Sequence, residues 1–73
     1  MSKKKVVVLL QCNDAEINQR RAMRFFHDRG IEGKMGTTKD GVLYVEFDVP
    51  EDETILIKLR TDFARFMNGR FDI

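Results

Sequence analysis

The stretch Gly41-Val42-Leu43-Tyr44-Val45-Glu46-Phe47-Asp48-Val49 decides how the chain folds. Leu43, Val45, Phe47 and Val49 alternate with Val42, Tyr44, Glu46 and Asp48. Side chains on a strand point to opposite faces with a period of two, so one set faces a core and the other faces away. A buried helix of this length needs apolar residues three and four apart, and they are missing here. Lys39-Asp40-Gly41-Val42 in front of the run is a hairpin signal, because Asp-Gly tolerates the positive φ of a tight primed turn.

Upstream, Val6-Val7-Val8-Leu9-Leu10 is apolar on both faces and predicts a central strand. Asn13 with Glu16 three residues on gives a helix start in the manner of a capping box. Over 14–29, Ala15, Ala22, Met23 and Phe26 form one stripe, with Gln19 inside it and Phe25 at its edge. Gly30 supplies the stop. Residues 31–38 read as an edge strand weakened by Gly33 and Gly36. Pro50 ends the alternating strand because it cannot donate to a ladder. Glu51, Asp52 and Glu53 then suit a helix N-terminus. Ile55, Leu56, Leu59, Phe63, Phe66 and Met67 keep helical spacing. A strand over 54–59 is the rival reading, and persistence of the stripe through Met67 favours the helix. Asn68-Gly69 closes it, leaving Arg70-Phe71-Asp72-Ile73 for a short strand. The expected fold is therefore α+β: a ferredoxin-like split βαβ sandwich, βαββα with a short C-terminal strand, both helices on one face of an antiparallel sheet.

Seventy-three residues make one small domain, spanning 1–73. A chain of this size buries only about 60% of its unfolded surface, so pairing or docking is a common source of added stability. The single cysteine, Cys12, excludes an internal disulfide. The net charge of +1 divides into +5 over residues 1–39 and −4 over residues 40–73. Such a balance does not single out nucleic acid as a partner. No apolar run is long enough to span a membrane. Lys3-Lys4-Lys5 before Val6–Leu10 imitates a leader, but the apolar run is too short for one. A cytoplasmic location is expected.

Chemistry-bearing patterns are sparse. Cys12 near a helix start lacks a base, since His27, the only histidine, lies roughly 20 Å further along the helix. Asp48, Glu51, Asp52 and Glu53 are acidic without the glycine of a calcium loop. No phosphate loop, nucleophile set or metal-spaced cluster is present, so neither enzyme activity, cofactor nor metal is expected. Two surfaces remain: the helix face of Ile17, Arg20, Arg21 and Arg24, and the open sheet face where Val7, Val42 and Tyr44 gather.

The stretch Gly41-Val42-Leu43-Tyr44-Val45-Glu46-Phe47 resembles the third strand of an RNA recognition motif (RRM). Gly41, Tyr44, Val45 and Phe47 match that pattern, while Val42 and Leu43 replace an aromatic and a small residue. Phe26, Gly30, Ile31 and Met67-Asn68-Gly69-Arg70 are similar to further landmarks of the family, whereas Val6-Val7-Val8 lacks its stacking aromatic. The resemblance implies RNA or single-stranded DNA binding, with Tyr44 stacking a base and Lys3, Lys4 and Lys5 on phosphates. The element order is similar also to ACT-type regulatory domains, which implies a small ligand near residues 13–17, where Asn13-Asp14-Ala15-Glu16-Ile17 lacks the family's glycine. The leading expectation from these readings is a non-catalytic interaction or regulatory domain that binds a protein partner, or itself as a homodimer, through the open sheet face.

Overall fold

The computed structural model describes residues 2–71. Its elements in chain order are β1 (Lys3–Leu10), α1 (Ala15–His27), β2 (Gly33–Thr37), β3 (Leu43–Pro50) and α2 (Glu53–Phe66). The chain is α+β, with a three-stranded antiparallel sheet in the order β1-β3-β2. Among the described residues the long alternating strand is thus the centre of the sheet, and β1, expected as a central strand, lies at one side of it. The expected strand over 70–73 falls partly outside the described residues. Its described part, Arg70 and Phe71, is not paired into the sheet.

The sheet register sets the core. Val6, Val8 and Leu10 lie opposite Phe47, Val45 and Leu43, and this row faces the helices. Ala22, Phe25 and Phe26 of α1 meet Leu59, Phe63 and Met67 near α2 over that row. Phe26 is the keystone: its ring stacks on Phe47 at 3.9 Å and lies 5.5 Å from Phe63. Phe25 packs edge-on to both Phe26 and Phe63. Residues 54–59 are helical, as the apolar spacing favours. Asp52 caps α2 by accepting a hydrogen bond from the Ile55 N–H, so the acidic run serves the helix N-terminus.

Two local expectations need correction. The hairpin loop is Lys39-Asp40-Gly41, in which only Gly41 takes positive φ (83°). Gly41 N–H donates to Thr38 O, and Thr38 N–H donates to Val42 O. This is a three-residue connection ending in a bulge, not a two-residue primed turn, and its extra residue spares Asp40 the strained region. The N-cap of α1 is Asp14, not Asn13, and it makes no side-chain capping bond. Both Asp14 carboxylate oxygens instead accept from the Arg70 guanidinium, at 2.7 and 3.1 Å. The pair clamps the chain after α2 onto the β1–α1 loop.

That clamp gives an acid-dependent stability. The hydrogen bonds from Arg70, helped by Cys12, hold the Asp14 carboxyl well below its ordinary value. The unfolded chain therefore takes up this proton first, at about pH 3.9. The clamp's contribution is complete above that pH and is lost as pH falls toward the folded-state value. Between pH 5 and pH 2, the urea midpoint of the wild type should fall more steeply than that of Arg70→Met. Parallel curves would remove the clamp from the acid response.

The open sheet face as candidate interaction site

Because β1 faces the core with Val6, Val8 and Leu10, its other residues emerge on the uncovered side of the sheet. There Val7 and Leu9 are 49% and 50% exposed. The pairing puts Leu9 opposite Tyr44 and Val7 opposite Glu46 on one side, and Gly36 opposite Tyr44 and Lys34 opposite Glu46 on the other. The face therefore has an apolar end of Leu9, Val7 and Tyr44, grading into a charged end of Glu46, Lys34, Lys5 and Asp48. Lys5 Nζ is 2.8 Å from Glu46 Oε1, which raises the lysine pKa and lowers that of the carboxyl.

Tyr44 lies flat. Its ring crosses β2 directly over Gly36, where a Cβ would collide with the ring and hydroxyl. Beneath it, the Gln19 side chain of α1 donates from Nε2 to Tyr44 O (3.0 Å) and Gly36 O (3.2 Å). Gln19 therefore interrupts the apolar stripe of α1 for a reason. It ties α1 to the two strands that carry the Tyr44 platform.

The expected site residues divide between two sides of the molecule. Val7 and Tyr44 share the open face. Val42 is half-buried at the hairpin, where its N–H donates to Thr38 Oγ1 and its O accepts from Thr38 N–H. Ile17 (63% exposed), Arg20, Arg21 and Arg24 lie on the outer side of α1, which packs on the opposite face of the sheet. They cannot join the sheet residues in one site. Arg21 is also engaged within the fold: it donates to Phe66 O at 3.1 Å and sits over the Phe66 ring. Of the lysines expected at phosphates, Lys3 and Lys5 share the side of Val7 by alternation, and Lys4 falls on the other side. Lys5 is four residues along β1 from the partner of Tyr44, about 13 Å away.

Other features are structural. Asn18, the one fully buried polar residue among those described, donates from Nδ2 to Cys12 Sγ at 3.6 Å. Near the expected small-ligand loop an open cleft of about 650 Å³ runs from Leu10 to Ile17, but the Asp14 carboxylate there is taken by Arg70. Among the described residues, no group of three or more acidic, histidine or cysteine side chains is placed to hold a metal ion. No described helix is long and apolar enough to cross a membrane.

The sequence reading missed Leu9, Lys34 and Gly36 as members of the face. The alternation of β3 identifies Tyr44, and the outward placement of Val7 carries Leu9 with it by the same period of two, whereas Lys34 and Gly36 join the face only through the register of β2 with β3. No family model matches the chain, and comparison with curated proteins and with solved structures finds no match.

Proposed function

We propose that this chain is a small non-catalytic interaction domain that binds a protein surface, a partner's or a second copy's, through the open face of its sheet. The observation that carries the reading is the contiguous set Val7, Leu9 and Tyr44. Two half-exposed aliphatic side chains lie beside a flat aromatic ring, with polar and charged groups at one border only. An exposed apolar patch beside polar groups commonly marks a protein-binding surface. The uncovered face fits a ferredoxin-like sandwich in which both helices take the other side.

RNA or single-stranded DNA binding is the second reading, favoured by the exposed side of the Tyr44 ring. Against it, Glu46 and Asp48 occupy the same face, and Glu46 neutralises Lys5. A phosphate backbone would meet carboxylates where an RRM-like sheet needs cations.

Tyr44 is the only tyrosine and there is no tryptophan, so intrinsic fluorescence reports this face alone. Sedimentation over a wide concentration range and capture of partners are to be compared for the wild type, Tyr44→Ala and Leu9→Asp. Both variants should lose association about tenfold or more while staying folded, a typical loss at a central interface residue. Unchanged association in both would sink the reading. Salt-sensitive binding of labelled single-stranded RNA that Tyr44→Ala abolishes would replace it with the second.

A further inference from the structure

The edge of the sheet has features distinct from those of its face. Among the described residues, β1 is paired on one side only, and no backbone hydrogen bond reaches its other edge. Its eight residues leave a row of unpaired N–H and C=O groups about 26 Å long. Edges are commonly blunted by shortness, by proline or by charged residues such as lysine. The β2 edge is short and contains Gly33 and Gly36. The lysines of β1 guard only its first three residues, and Val6–Leu10 carries no charge, glycine or proline.

Two further observations define what would pair there. On the helix side of this edge a groove of about 170 Å³ runs under α2, with Val6, Val49, Leu56 and Leu59 as apolar lining and Lys4 and Arg60 at its rim. No carboxylate lines it, and among the described residues Lys3, Lys4 and Arg60 form no ion pair. The inner edge of β1 already holds a strand of the complementary kind. There β3 runs antiparallel, placing Leu43 and Val45 against Leu10 and Val8, and Glu46 and Asp48 beside Lys5.

We propose that the outer edge of β1 takes an extended segment of a partner protein as an added antiparallel strand, apolar where it meets Val8–Leu10 and acidic where it meets Lys3–Lys5. Main-chain hydrogen bonds supply the affinity of such an addition, and alternate side chains supply the selectivity. One set of the segment's side chains fills the groove under Leu56 and Leu59. Its carboxylates, on the opposite side of the added strand, meet Lys3 and Lys5.

The test titrates the full chain against a fluorescein-labelled peptide copying Leu43–Val49, with anisotropy as readout. Two N-methylated versions carry the methyl groups on odd or on even positions. Successive N–H groups of a strand point to opposite sides, so only one version blocks the bonds to β1. Saturable binding is expected, lost about tenfold or more in one N-methylated peptide and kept within twofold in the other. Lys3→Glu, at an exposed side chain on the same side of β1 as those carboxylates, should weaken it about threefold and flatten its salt dependence. Tyr44→Ala should leave it unchanged, which separates this test from that of the open face. The proposal fails if the peptide does not bind, or if both N-methylated peptides bind alike. It fails also if single-stranded RNA displaces the peptide, or if sedimentation shows a dimer that the peptide dissociates, which would give the edge to a second copy.

Discussion

Phe26→Ala is expected to cost about 3–5 kcal/mol, the usual range for emptying a buried aromatic site. Phe26 is fully buried and touches the rings of Phe25, Phe47 and Phe63, so its removal strips packing from α1, β3 and α2 together. At roughly 0.05–0.15 kcal/mol per residue, a chain of this length holds about 4–11 kcal/mol in all. The variant should therefore be largely unfolded near 37 °C, or show a much reduced urea midpoint by circular dichroism. A loss below about 1 kcal/mol, the size of an Ile→Val truncation, would mean that the aromatic cluster does not organise the core.

The second large effect is at Gly33, and its contrast with Gly36 makes it informative. A Cβ at Gly33 would run into the Phe47 ring and approach the Glu46 backbone O at 2.9 Å. The Phe47 ring has little room to move, because Phe26 is stacked on it with centroids 3.9 Å apart and the ring is buried. Gly33→Ala should cost about 1–3 kcal/mol through overpacking, less a few tenths regained from the stiffer unfolded chain. A Cβ at Gly36 meets only the far end of the Tyr44 side chain, which can swing toward solvent. Gly36→Ala should be within about 0.5 kcal/mol of neutral, as is usual for a surface change, while the fluorescence of Tyr44 shifts. Denaturation of both variants, followed by Tyr44 emission, checks the order. A Gly36→Ala variant less stable than Gly33→Ala would overturn this account of the two faces.

The two glycines look alike in the sequence, and the sheet register gives them their different neighbours. In the 4-residue span from 33 to 36 they fall on opposite faces, one under a packed phenylalanine and one under a half-exposed tyrosine. The stripe of α1 shows the same division. Ala22 and Phe26 were legible as its buried face, whereas Asn18 is buried and Gln19 is tied to the strands by bonds that only the docked helix can make. Both polar side chains find their partners outside α1, and hydropathy along the helix does not reveal such partners.

Local patterns alone determined a good part of this protein. The period-two alternation of Leu43–Val49 and the three-and-four spacing through Met67 fix strand and helix, because each period is a property of backbone geometry. They also mark Tyr44 as facing away from Val45 and Phe47. Tertiary structure decided the rest. In a strand apolar throughout, such as Val6–Leu10, composition does not favour one phase, and it is the ladder with β3 that turns Val8 inward and Val7 and Leu9 outward. Arg70 reaches Asp14 across 56 residues of sequence, and no local signal announces that pair. The place of β1 at one side of the sheet among the described residues was hidden for the same reason: hydrophobicity records how much of a strand is covered, and a strand apolar on both faces reads as a central one.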